Sequence, residues 1–154
     1  MNAQENQEAI QNAIYLARCA INGEIPDKSR VEDMNLEHLY RAAERHLLAG
    51  ITAMALESVG VRDRAFTQAK GKAIRKVAMF DAERASVLQA LEKAGIWYMP
   101  LKGSILKEYY PRIGMRQMAD NDILIDAHCA EHVRDIMESL SYLTEHFGTG
   151  VHDS

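Results

Sequence analysis

Cysteine is scarce: Cys19 and Cys129 are the only two, and no short spacing joins them. That excludes a disulfide scaffold or a zinc ribbon and fits a reducing cytoplasm. No stretch approaches the run of about 18 apolar residues that reads as a membrane span. The opening "MNAQENQEAIQNAIYLA" lacks the basic start and apolar core of a signal peptide. Positive charge is not in excess either. The net charge is −4 and the pI about 5.9, which weighs against attraction of the whole chain to a nucleic-acid backbone. No internal repeat or low-complexity tract is present.

What remains is an ordinary globular composition, 47% hydrophobic and 26% charged, so a buried core is affordable within these 154 residues. The periodicity predicts a helix over residues 4–22 with Ile10, Ala13, Ile14, Ala17, Ala20 and Ile21 inward. "NGEIPDKS" breaks it, and a second helix opens near Asn35 as N-cap. "HLLAGITAMALESVGV" reads as a third helix, or as a continuation beyond a bend at Gly50. A long helix over residues 64–94 carries Ile74, Val77, Ala78, Ala85, Leu88 and Leu91, and Gly95 terminates it. The character then changes. "IWYMPL" and "NDILID" read as strands, "SILKEYY" as a short helix, and "AEHVRDIMESLSY" as a helix with Val133, Ile136, Met137 and Leu140 on one face. "YLTEHF" reads as a third strand.

The chemistry concentrates in "LKGSILKEYYPRIGMRQMADNDILID". On a strand, Asp120 and Asp122 point the same way, about 6.6 Å apart. Carboxylates held that close repel unless a cation neutralises them. Mg²⁺ takes one or two such ligands together with substrate phosphates. Taken alone, the pair also reads as solvated charges capping a strand. Gly103 and Ser104 follow a strand and open a helix, where backbone N–H groups and the Ser104 hydroxyl can meet phosphate oxygens. Gly103 permits close approach, although alone it is an ordinary turn residue. Lys102 and Arg116 add positive charge nearby. Together these are the minimum kit for metal-assisted nucleotidyl transfer.

The block formed by Leu101, Lys102, Gly103, Tyr110, Pro111, Arg116, Met118, Asp120 and Asp122 resembles the uncharacterised nucleotidyltransferases of the polymerase-beta-like superfamily. The segment "LEHLYRAAERHLLAGI" is similar to the helical region that such proteins carry before the catalytic core. The resemblance implies an α+β fold: a helical bundle over residues 1–94, then a small mixed β-sheet core of nucleotidyltransferase type over residues 95–154. It implies Mg²⁺ or Mn²⁺ on Asp120 and Asp122, and an NTP whose triphosphate is held at Gly103 and Ser104. Lys102 and Arg116 are candidate phosphate contacts, which the superfamily does not require, and the acceptor is a small molecule, a protein side chain or, less in keeping with the acidic pI, an RNA end. A non-catalytic binding module of the same fold is the alternative. Asn121 stands where the family has an apolar residue, and its side chain is expected to face away. The superfamily's third carboxylate has Glu145 and Asp153 as candidates. The end of the chain, in what reads as mid-loop, predicts instead that this residue lies beyond Ser154 and that the chain is catalytically incomplete.

Two rival features carry less. "HCAEH" fits an inverted zinc-protease pattern, with His128 and His132 as ligands, but a further ligand is required downstream. The basic run over residues 62–76 reads as one solvated helix face, with contact to a polyanion or acidic partner as the alternative.

Overall fold

The computed structural model describes residues 2–145. Five helices come first: α1 (Ala3–Asn22), α2 (Lys28–Glu32), α3 (Leu36–Arg45), α4 (Ala49–Ser58) and α5 (Arg64–Lys93). Their starts follow capping chemistry. Asn2, Asp27, Asn35 and Asp63 each accept a backbone N–H of the first turn through a side-chain oxygen. The short α2 was not foreseen, and it rests on the Asp27 cap. α5 ends as expected: Gly95 adopts φ +68°, and Ile96 N–H reaches back to the Leu91 carbonyl at 3.0 Å.

α4 is buried all round from Ala49 to Leu56, enclosed by α1 and α5. Leu16, Leu39, Leu56 and Phe66 meet in its main core, with Tyr40 edge-on to Phe66 at 5.2 Å. Each such side chain contributes about 1.5–3 kcal/mol by leaving water. The inward stripe of α1 is rotated from the expected one. Ile14 and Ile21 are exposed, whereas Leu16 and Cys19 are buried, because α1 packs on α3 and α4 together. Ala78 and Ala85 of α5 are likewise exposed.

The α3–α4 break falls at Leu47 rather than Gly50. Leu47 takes φ +58°, and Leu48 N–H closes the turn on the Ala43 carbonyl at 2.7 Å. Gly50 lies inside α4, where a Cβ would stand 2.9 Å from the Gly114 carbonyl. The missing side chain lets the 110–119 connector lie against the bundle. Met115, 4% exposed, pins that connector between Ile51, Met54 and Ala17.

The remaining elements are β1 (Tyr98–Pro100), α6 (Gly103–Leu106) with a 3₁₀ turn (Lys107–Tyr109), β2 (Ile123–Ile125), a second 3₁₀ turn (Ala127–Cys129) and α7 (Ala130–Ser139). The architecture is α+β, but the sheet is not mixed. Among the described residues it consists of β1 and β2 alone, antiparallel, with Tyr98 opposite Ile125 and Pro100 opposite Ile123. A parallel return needs a crossover helix lying on the sheet, and the four-residue α6 does not supply one. The expected strand at "YLTEHF" is absent over residues 142–145, where Leu143 is 92% exposed; the rest of that segment lies outside the described residues.

One sheet face (Tyr98, Ile123, Ile125) packs with α7 onto Val87 and Leu91 of α5. The C-terminal half of α5 is therefore the floor on which the strands and their loops stand. No helix among the described residues is long and apolar enough to cross a membrane.

Candidate functional site

The sheet ladder continues one step beyond the strands. Leu101 N–H donates to the Asp122 carbonyl at 2.9 Å. The turn after β1 and the aspartates before β2 are thereby held side by side. Lys102 Nζ then lies 3.4 Å from Asp122 Oδ2, with the lysine side chain 73% exposed. So exposed a pair contributes about 0–1 kcal/mol and yields readily to a stronger partner. Asp120 is exposed and forms no ion pair among the described residues.

Lys102, Gly103, Arg116, Asp120 and Asp122 line one open cleft of about 370 Å³. Five of the six candidate residues thus share a cavity, although Lys102 and Asp122 stand well apart in sequence. Its far wall comes from the helical half, through Ala17, Ile51 and the break at Leu47. Ser104 is the exception. It is 4% exposed, and its Oγ donates to the Leu101 carbonyl at 2.6 Å, so the hydroxyl braces the turn from behind.

Met118 covers Gly103 closely: a Cβ there would stand 3.0 Å from Met118 Sδ and 3.6 Å from Arg116 Nη2. Any larger residue would push Met118 and the neighbouring guanidinium aside. Arg116 Nε is buried and has no hydrogen-bond partner. Leaving a charged donor unsatisfied costs upwards of about 1–3 kcal/mol, and since this atom is closed to solvent, Arg116 must turn before an anionic oxygen in the cleft can reach it.

Lys102 carries backbone strain. Its φ of +48° with ψ −118° belongs to a region that glycine occupies freely. Such outliers cost about 1–3 kcal/mol and persist at functional sites. Lys102→Gly is expected to raise stability by about 1 kcal/mol in urea unfolding, after the entropy glycine adds to the unfolded chain. The same variant should bind nucleotide more weakly. An unchanged or lower stability would show that this backbone is not strained.

A second group of residues, on α5, was not visible in the sequence. Arg84 Nη2 donates to Asp81 Oδ1 at 2.8 Å, and Lys107 Nζ donates to Asp81 Oδ2 at 3.0 Å. Arg84 Nη1 also donates to Asn121 Oδ1 at 3.2 Å, and the Asn121 amide donates to the Phe80 carbonyl at 3.1 Å. Asn121 therefore faces α5, away from the cleft that its two aspartate neighbours line. Lys107 and Arg84 are only 13% and 15% exposed, so these contacts are shielded from solvent. The Lys107 ammonium is held above its ordinary range, first by the Glu108 hydrogen bond and then by Asp81, against the cost of burial. Asp81 thus ties the segment after the Gly-Ser turn and the segment between the aspartates to one helix. An Asp and an Arg three apart on a helix give no sequence signal of such distant partners.

A divalent ion fits the donors present: two carboxylates on one open wall, one free and one weakly paired, leaving room for phosphate oxygens. Among the described residues no group of three His, Cys, Asp or Glu side chains is arranged to hold a metal. Glu145 therefore completes no triad with Asp120 and Asp122, and Asp153 lies outside the described residues. The same finding bears on the zinc-protease pattern. His128 is 96% exposed and bonds Asp126 at 2.9 Å.

Residues 32–153 match the family described as uncharacterised nucleotidyltransferase. No curated protein and no solved structure matches the chain.

Proposed function

The chain belongs to the uncharacterised nucleotidyltransferase family, and from that membership we propose that it transfers a nucleoside monophosphate from an NTP to an acceptor hydroxyl or similar group. The observation that carries the proposal is the common cleft of Lys102, Gly103, Arg116, Asp120 and Asp122. It combines two carboxylates with two cations beside the turn at Gly103. Asp120 and Asp122 would hold Mg²⁺ or Mn²⁺, which when bound neutralises phosphate charge and favours departure of pyrophosphate. Arg116 contributes the buried N–H that lacks an acceptor. Lys102 releases Asp122 and turns its ammonium to phosphate, an exchange that its weak, exposed pairing makes inexpensive. Gly103 makes room for Met118, which packs beside Arg116 at the cleft wall. Ser104 fixes the shape of the turn through Leu101.

A thermal-shift titration with ATP, GTP, CTP and UTP, each with and without Mg²⁺, tests this reading. A nucleotide at about 100 times its dissociation constant stabilises the fold by roughly 2.7 kcal/mol. For a chain of this length that is about 5–10 °C in Tm. At least one NTP should produce the shift, and only with the metal. No metal-dependent shift with any of the four would overturn the reading.

A further inference from the structure

A larger cavity, about 580 Å³, opens beside the carboxylate cleft on the α3–α5 side of the bundle. Leu47, Gln117 and Met118 line both cavities, so the two are separated by a wall one side chain thick. Its chemistry is different. Lys72, Arg75 and Lys76 line it, and Glu44 is its one carboxylate among the described residues. Positions 72, 75 and 76 stand at the spacing that places side chains on one helical face. Lys72 and Arg75 form no ion pair among the described residues, and Lys76 lies 5.3 Å from the Phe80 ring centre. Glu44 is engaged by the Tyr40 hydroxyl at 3.0 Å.

Gly71 gives an independent indication. A glycine within a helix costs about 1 kcal/mol relative to alanine. Here a Cβ on Gly71 would stand 3.3 Å from Arg75 Nη1. The Arg75 guanidinium lies against this bare stretch of helix, and a Cβ at Gly71 would crowd it by a few tenths of an ångström.

Resting on the nucleotidyltransferase reading, we propose that this cavity seats the acceptor, and that the acceptor is a small organic molecule bearing a phosphate monoester. Three cations against one engaged carboxylate match a dianion. A guanidinium suits two phosphate oxygens at once, and the lysines supply point charges. Tyr40 and Leu47 offer apolar surface to an organic body, with Gln68 and Gln117 for its hydroxyls. The volume lies within the range of small-molecule pockets. A group anchored there reaches the carboxylate cleft across the wall shared by Leu47 and Met118.

The test is calorimetric titration of the protein with ribose 5-phosphate and with inorganic phosphate, in EDTA so that no divalent ion takes part. Saturable binding of the ester is expected, tighter than that of inorganic phosphate. The variant Lys72→Gln/Arg75→Gln/Lys76→Gln should weaken it at least 10-fold, and Glu44→Gln should tighten it several-fold. No metal-free binding, or equal binding by the triple variant, overturns the proposal. Equal affinity for the ester and for inorganic phosphate does so too, since it marks a free-phosphate site. The Mg²⁺–NTP thermal shift of the triple variant is read separately. Its persistence is expected, and its loss would assign the three cations to the triphosphate instead. A wild-type chain that binds the ester but shows no Mg²⁺–NTP shift fails the nucleotidyltransferase reading alone.

Discussion

Exchanging Asp120 and Asp122 together for Asn is expected to lower transfer at least about 10³-fold while leaving the fold intact, because the cleft would lose both carboxylates among its described lining residues. Asparagine keeps the size and one carbonyl oxygen of each side chain but no charge. The stability cost is small. Asp120 forms no ion pair among the described residues, and the Lys102–Asp122 pair is too exposed to contribute more than about 1 kcal/mol. Removing two neighbouring negative charges even relieves some repulsion. Urea unfolding should therefore stay close to wild type. The Mg²⁺–NTP thermal shift should vanish, and pyrophosphate release with a panel of hydroxyl-bearing acceptors should fall to background. Wild-type pyrophosphate release by the double variant would refute the assignment of the aspartates.

Asp81→Ala should have the second largest effect, and it acts from outside the cleft. It strips Lys107 and Arg84 of a shared carboxylate while both remain largely buried. Hydrogen bonds to charged groups contribute about 1.5–3 kcal/mol, so a loss of about 2–3 kcal/mol in urea unfolding is expected. Activity should fall further than stability explains, by about 10²-fold, since the two segments bearing Lys102 and the aspartates lose their common anchor. Asp81→Asn, which can still accept a hydrogen bond, should recover part of both losses. If Asp81→Ala unfolds like wild type, the network is a surface ornament and the positioning role fails.

The helical half was largely legible because capping and periodicity are local. Asn35 and Gly95 mark their helix ends in the sequence as they do in the fold. The rotated stripe of α1 was not legible, because Ile14 and Leu16 are equally apolar and only the placement of α3 and α4 chooses between them. Leu47 hid the α3–α4 break for a related reason: a leucine with positive φ contradicts its own propensity, and Gly50 nearby offered a more ordinary bend. In the site, the motif residues could be read individually. Their meeting in one cleft depends on the ladder bond from Leu101 to Asp122, which is tertiary. Ser104 shows the converse, since a residue type suited to phosphate spends its hydroxyl on the backbone. The cavity beside α5 needed Glu44, Arg75 and Gln117 to be brought together from three separate segments.

Asn121 has a meaning for descent as well as for geometry. Its amide completes Arg84, Arg84 is oriented by Asp81, and Asp81 also serves Lys107. A drift to an apolar residue at 121 leaves a mostly buried guanidinium short of an acceptor, and a drift at 81 leaves two cations without their carboxylate. These four positions cannot be exchanged one at a time without loss. Replaced singly, each is expected to cost stability that a matching change at its partner offsets, a coupling that a double-mutant cycle in urea unfolding measures.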